Sequence, residues 1–523
     1  MVTIPSSLFL FSLYALKVAA APDNSLAFAA PPNVTNGASN VVRHDFASFS
    51  WPAHFFADFA GNASHPNLFT KDILDLLAKK SGAQPFIRIG GTSADRVWYN
   101  KSQALALVND YSGNPVTAAL GIASQVNIGP AFFDSFRTFP DTPWSWQINM
   151  GKDYGQPGAK ENAMEVARLI VNAVQGRLES FEIGNEPDLM FRVGDRPANY
   201  TLTDYVREWN EYADAATEQV LKGNKYGLQG PRFFQGGTLA GINKTWTIQK
   251  LLDLGLDKGQ HLCSISGHHY DDNSAGPWFS LGKSFMNHTT IASNVSFLKP
   301  DVEAARLHNP QVPYVLGETN SDANNLNITQ YIGVFGSALW QVDRIFTSMA
   351  ANMKRSNFIQ GTTFGYTGFV PVRRDGRDPY VRPPLYAHIL TADALGHLPD
   401  VQVYPLPNSV EDFSTHAIYS AGQLAKYVTI NLDEWNSTTT YPRPMQRVHL
   451  AVPKSIKEVQ VERLTASGAS ADEGVQWAGL SWNYTDGRLA QKGVHRVEKV
   501  SAKMGIVSLD VASTEAALIT LCN

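Results

Sequence analysis

Between residues 46 and 398 short apolar runs alternate with stretches of helical spacing, and this alternation restricts the fold more than any other feature of the chain. The runs are FASFSW (46–51), PFIRIGG (85–91), PWSWQINMG (143–151), LESFEIGNEP (178–187), FFQGGTLA (233–240), SISGHHY (264–270), VPYVLGETN (312–320) and NFIQGTTFGYTG (357–368). NLFTKDILDLLAKKSG (67–82), AMEVARLIVNAV (163–174) and DYVREWNEYADAATEQVL (204–221) have helical spacing, the last placing Tyr205, Trp209, Tyr212, Ala216 and Val220 on one face. LYAHILTADAL (385–395) closes the series. Eight strands with intervening helices predict a (β/α)8 TIM barrel. The competing arrangement is an open doubly wound sheet, and no G-x-G-x-x-G follows the first run to support it.

Beyond residue 400 the texture changes. AKYVTINLD, QRVHLAVP, KEVQVERLT, GIVSLDVA and AALITLCN alternate with period two between polar turns, which predicts an antiparallel β-sandwich. The expected division is a leader over 1–20, a segment over 21–45 that is either flexible or adds one strand to the β domain, a barrel over 46–398 and a C-terminal β domain over 399–523.

The leader is read from SLFLFSLYAL (7–16) followed by the small residues of KVAAAP, a pattern of secretory signals that end near Ala20 or Ala21. It is too short to span a bilayer. Asn-x-Ser/Thr sequons begin at Asn33, Asn62, Asn100, Asn199, Asn243, Asn287, Asn294, Asn327, Asn436 and Asn483, which fits a secreted glycoprotein. A net charge of −4 gives no basic footprint for nucleic acid. The two cysteines, Cys263 and Cys522, leave one long-range bridge or two free thiols equally open.

In a barrel of this kind chemistry collects at the C-terminal ends of the strands. Here those ends carry Thr92 and Asp95, Asn185 with Glu186, His268, His269 and Tyr270, then Glu318, with Tyr366 on the eighth run. Two carboxylates facing one cleft are what glycoside hydrolysis requires, one to protonate the departing oxygen and one to attack or stabilise the sugar cation. Adjacent strand residues point to opposite faces, so His268–His269 does not read as a metal site, and this chemistry calls for no metal or organic cofactor. Trp98, Tyr99, Trp144, Trp146 and Trp278 are candidate sugar-stacking rings, and VRRDGR (372–377) a candidate source of arginine.

FEIGNEPD and VLGETNS resemble the acid/base and nucleophile strands of the large retaining (β/α)8 glycosidase clan. IRIGGTSAD (87–95), SGHHY (266–270) and FGYTG (364–368) narrow the likeness to glycoside hydrolase family 79, which contains β-glucuronidases and heparanases. The resemblance implies Glu186 as acid/base and Glu318 as nucleophile. It also implies Asn185 at the sugar 2-hydroxyl, Tyr270 orienting Glu318, Thr92 on the floor of the subsite, and Tyr366 with the Gly365 N–H at the sugar carboxylate; His268 is a further candidate for substrate binding, with a satisfied core imidazole as the alternative.

Two departures bear on the substrate. Trp51, Pro52 and His54 stand where the family ends its first strand on an acidic residue. Asp322, Ala323, Asn324 and Asn325 stand where it places a tyrosine and glycines. The expectation is a secreted retaining exo-β-glucuronidase acting on terminal, unmodified or 4-O-methylated, glucuronate. A β-glycosidase for a neutral sugar, a heparanase-like endo-β-glucuronidase and a non-catalytic carbohydrate-binding protein remain the alternatives.

Overall fold

The structure is a computed structural model describing residues 25–113, 118–119, 121–151, 156–228, 232–241, 244–273, 278–323 and 329–522. The leader expected over 1–20, the sequons at Asn243 and Asn327, and Asn324 and Asn325 lie outside these residues.

Eight strands close into a parallel barrel: β1 (Ala47–Pro52), β2 (Ile87–Gly90), β3 (Trp144–Ile148), β4 (Leu178–Ile183), β5 (Phe234–Leu239), β6 (Leu262–Asp272), β7 (Tyr314–Asp322) and β8 (Ser356–Ile359). Each pairs with its neighbours in sequence, and β8 closes on β1 through Ser356↔Ala47. The helices form where the spacing predicts them. Leu68–Ser81 is capped by Asn67, whose side chain accepts from Thr70 N at 3.1 Å, and it stops at Gly82 with φ 84°. It buries Phe69, Ile73, Leu74 and Leu77, with the Phe69 ring edge-on to Phe369 and Tyr484. The long connection from β2 to β3 holds a small sheet of Val97–Tyr99, Gln125–Ile128 and Leu107–Asp110.

One strand is shorter than its apolar run suggests. β8 ends at Ile359, not near 368, because the Gln360 side chain gathers the following turn: its Oε1 accepts from Thr367 Oγ1 at 2.8 Å and from Gly368 N at 2.6 Å. Tyr366 therefore sits in a turn above the barrel.

The chain after 400 builds a nine-stranded sheet that includes Phe413–Ser420, Gln423–Asn431, Glu458–Thr465 and Glu515–Cys522. A three-stranded sheet of Leu26–Phe28, Met445–Ala451 and Ile506–Ala512 faces it. Tyr427, Val461, Ala517 and Ile519 of the large sheet pack on Phe28, Val448 and Leu509 of the small one. The intervening Val428, Ile430, Ala516 and Leu518 point the other way, into the core shared with the barrel. Both faces of these strands are buried, which is why AALI reads as an unbroken apolar run.

Helices Phe335–Ala350 and Pro384–Leu395 fill the seam and are buried on almost every side. Their buried charges are paired: Asp343 with His288 at 2.7 Å and His416 at 3.1 Å, and Arg344 with Asp271 at 3.0 Å. Both cysteines are unpaired, Cys263 in β6 and Cys522 at the end of the last strand. No helix among the described residues is long and apolar enough to cross a membrane.

Candidate active site

A cavity of about 550 Å³ opens where the barrel strands end. Glu186 and Glu318 reach into it, with Thr92, Tyr270 and Tyr366 on its wall. Oxygens of the two carboxylates and a ring nitrogen of His268 all lie within 4.8 Å of one another. The pair diverges in its partners. Glu318 Oε2 accepts from Arg88 Nη1 at 2.7 Å, and Oε1 accepts from the Tyr270 hydroxyl at 2.7 Å. Glu186 Oε1 meets His268 Nδ1 at 3.0 Å.

These contacts set the charge on Glu318. Burial alone pushes its carboxyl up, but the charges of His268 and Arg88 and the hydrogen bonds from Tyr270 and Arg88 outweigh burial and hold it below the usual glutamate range. His268 moves the other way. Burial lowers it, and the negative charge of Glu318 with the hydrogen bond to Glu186 raises it above the ordinary imidazole value.

Arg88 is the residue sequence reasoning missed. It lies inside PFIRIGG, a run read for its glycines and its apolar residues. Its guanidinium is fully buried and fans out to Ser50 Oγ (3.0 Å), Gln147 Oε1 (3.2 Å), Asn185 Oδ1 (3.0 Å), Glu182 Oε1 (2.8 Å from Nε) and Glu318. Glu182, also fully buried, accepts in turn from Gln235 Nε2. The available signal was a charged residue between two isoleucines of a strand with no apolar–polar alternation.

The loop that carries Glu186 is held under strain. Gly184 turns at φ 70°, and Glu186 itself adopts φ 44°, a left-handed conformation rare outside glycine and asparagine. Its N–H donates to the Thr238 carbonyl at 3.1 Å. Asp95 ties the loop down, accepting from Asn185 N at 2.8 Å and Met150 N at 2.9 Å. Complete burial pushes the Asp95 carboxyl up to about 7. On β7, a Cβ at Gly317 would lie 2.1 Å from Ser266 Oγ, so a side chain there would have to displace that hydroxyl beside Glu318.

The expected site residues separate into layers. Thr92, Glu186, Tyr270, Glu318 and Tyr366 line the cavity. Asn185 lies one layer beneath, its Nδ2 3.5 Å from Thr92 Oγ1. His268 is buried behind Glu186 and does not line the cavity, because the strand shifts register between Gly267 and His268 and turns its ring toward Glu186. Gly365 is packed away, its Cα against Ile332 and its carbonyl accepting from Arg382.

None of the five aromatic candidates lines the cavity: Trp144 and Trp146 are core, Trp98 and Tyr99 belong to the small sheet, and Trp278 is exposed. Nor do the arginines of VRRDGR, where Arg374 binds Thr362 Oγ1 at 3.0 Å and Arg377 binds Glu473 at 3.1 Å. Pro52 and His54 line it in place of an acidic first-strand residue, and Asp322 is wholly buried at the end of β7. Glu186, His268 and Glu318 could each offer one atom to a metal ion, but the positive charge beside Glu318 is already supplied by Arg88.

Comparison with known proteins agrees with this geometry. Residues 415–518 match the glycosyl hydrolase family 79 C-terminal beta domain. A β-glucuronidase of Aspergillus niger is 33% identical over 522 residues, 94% of this chain and 93% of its own. One of Neurospora crassa is 27% identical over 511 residues, 88% of this chain and 90% of its own. Among solved structures, a 4-O-α-L-rhamnosyl-β-D-glucuronidase of Fusarium oxysporum superposes with a TM-score of 0.78 at 22% identity, covering 95% of this chain and all of that one. A family 51 arabinofuranosidase of Xanthomonas axonopodis gives 0.62 at 14% identity, covering 95% of this chain and 99% of its own. The chain belongs to glycosyl hydrolase family 79 and is a glycoside hydrolase.

Proposed function

We propose that the protein is a retaining exo-β-glucuronidase that releases terminal β-D-glucuronate by double displacement. The observation that carries this reading is that one oxygen of each carboxylate lies within 4.8 Å of the other, a near approach that favours the shorter of the two carboxyl spacings glycosidases use. Retaining enzymes hold their carboxyl groups roughly 5–5.5 Å apart, and inverting enzymes need roughly 6.5–9.5 Å to admit a water. The Aspergillus niger and Neurospora crassa relatives, both β-glucuronidases, support the sugar.

Glu318 is the nucleophile. Ionised and aimed by Arg88 and Tyr270, it attacks the anomeric carbon and forms a glycosyl ester while the bond to the leaving oxygen breaks. Glu186 gives its proton to that oxygen, and the aglycone departs as an alcohol. Water then attacks the same carbon, Glu186 takes the proton back, and the ester breaks to free glucuronate and Glu318. His268 stays hydrogen-bonded to Glu186 as that carboxyl changes charge.

Thr92 and Ser93, whose buried Oγ has no partner among the described residues, offer hydroxyls to the sugar, and Tyr366 offers a phenol toward its carboxylate. Asn185 supports the 2-hydroxyl from behind Thr92. We also infer secretion, which the exposed sequons at Asn33, Asn62, Asn100, Asn199 and Asn483 favour. Asn294 fits that role poorly, since its Nδ2 donates to the Asp271 carbonyl at 3.0 Å on the cavity wall.

The deciding experiment compares kcat/KM for nitrophenyl β-glucuronide, β-glucoside, β-xyloside and β-galactoside. The glucuronide should be preferred, Glu318→Ala should abolish turnover, and a 2-fluoro glucuronide should label Glu318. Faster turnover of a neutral glycoside would overturn the uronate reading, and an inverted product would overturn the retaining one.

A further inference from the structure

The cavity has two walls of different character. One lies on the Glu318 side with Gly91 and Thr92, and Pro52, His54 and Phe364 also line the cavity. A Cβ on Gly91 would lie 3.5 Å from Glu318 Oε2, which places that wall against the nucleophile. The other surrounds Glu186. Leu189 N donates to the Glu186 carbonyl at 2.8 Å, and Val193 follows one turn later. Glu186 N is tied to Thr238, and Ala240 N to Asp188, which brings Ala240 and Gly241 alongside. A Cβ on Gly241 would lie 3.9 Å from the Phe297 ring, and that ring stacks on His269 at 5.6 Å. Leu189, Val193, Ala240, Gly241, Phe297 and His269 thus form one continuous surface beside the proton donor.

Two properties of that surface decide what it accepts. It is mainly apolar, with Ser293 and Asn294 of the Phe297 helix as its polar neighbours, and carries an aromatic ring that is 52% exposed although it lines a cavity. It is also without cationic charge: no lysine or arginine is among the described lining residues, and burial, followed by the charge of Arg344, pushes the His269 imidazole down to about 3. The carboxyl groups that line the cavity are Glu318, already paired with Arg88, and the proton donor Glu186. A chain bearing sulfates or further uronates would find no lysine or arginine on this surface to pair with, and the hydroxyls of a sugar would lose water against an apolar face. A flat hydrocarbon loses nothing there and covers the ring.

We propose that this surface is an aglycone site selecting uncharged, flat, apolar leaving groups, aryl or polycyclic alcohols, over the sugars of anionic glycans. The proposal rests on Glu186 being the proton donor, since the leaving oxygen must then sit against this wall.

The test uses two substrates that depart as primary alcohols, so that leaving-group chemistry is matched: 2-naphthylmethyl β-D-glucuronide and glucuronosyl-β-1,6-galactose. The wild type should favour the naphthylmethyl compound by about tenfold or more in kcat/KM, the range that apolar pocket contacts supply. Leu189→Asn and Phe297→Asn should each reduce that preference toward parity. A wild-type ratio of one or less would refute the site, and so would a ratio that survives both substitutions. If glucuronides prove inert and glucosides turn over, the uronate reading fails. The same two alcohols carried on glucose then still measure the aglycone preference, so the two claims stand or fall separately.

Discussion

The upper interior of the barrel holds Arg88, Gln147, Glu182, Gln235 and Glu318, whereas the interior of the sandwich holds Phe28, Val448, Val461, Leu509 and Ile519. Both sets are buried, but only the second lowers the free energy of folding simply by being buried. The barrel set desolvates charges and recovers part of that cost through a closed network around one guanidinium. What the costlier interior provides is aim: Arg88 reaches down to Glu182 at the floor and up to Glu318 at the mouth, so the Glu318 carboxylate is fixed from within the strands. The barrel should therefore lose activity and stability together, and the sandwich stability alone.

The largest effect should come from Arg88→Leu. It leaves Glu182 buried without its cation, a cost of about 3–5 kcal/mol, and removes a hydrogen bond from Glu318. Chemical denaturation and nitrophenyl glucuronide assays should report both losses, and a folded variant of normal activity would break the comparison. In the sandwich, Ile519→Ala should cost about 2–5 kcal/mol of stability with kcat unchanged below the melting transition. A changed kcat at full foldedness would show that the two interiors are not separable.

Tyr270→Phe should be smaller and purely local. Losing a hydrogen bond to a charged group costs about 1.5–3 kcal/mol, and the acid limb of the pH–rate profile should move to higher pH as Glu318 becomes harder to ionise. An unmoved limb would remove Tyr270 from the charge control of Glu318.

Asp95→Asn sharpens the picture further, because an amide cannot accept from both Asn185 N and Met150 N. Displacement of the Glu186 loop should lower kcat by about 10–100-fold. Asp95 also predicts a pH effect. Its folded value is raised from 3.8 to about 7, so the stability its proton carries is complete below 3.8 and is lost as pH rises through about 7. Melting curves of the wild type and of Asp95→Asn should differ by that slope between those limits. The smallest effect should come from Arg488→Ala. Its bidentate pair with Asp72, 2.7 Å on each arm, is exposed at the seam, and its loss should barely shift Tm.

The same contrast explains what the sequence disclosed. The barrel was legible because its strands are short apolar runs separated by capped helices, and Glu186 and Glu318 because each ends such a run in polar residues. Arg88 and Glu182 were not legible as a pair, since nothing local says that residues far apart in sequence share one guanidinium. Tyr366 was placed on a strand because FGYTG continues an apolar stretch, and only the Gln360 hydrogen bonds turn that stretch away. His268 looked like a sugar contact by its position, but a register shift on β6 turned it toward Glu186.

The strand Glu515–Cys522 lies in the middle of the large sheet, paired on one side with Gln423–Asn431 and on the other with Glu458–Thr465. During synthesis on the ribosome those two neighbours emerge first and wait with open edges until residues 515–522 arrive. The barrel helices that rest on that sheet wait as well, so a nascent chain that stops before this strand should be a target for chaperones and proteases, with no half-working enzyme released.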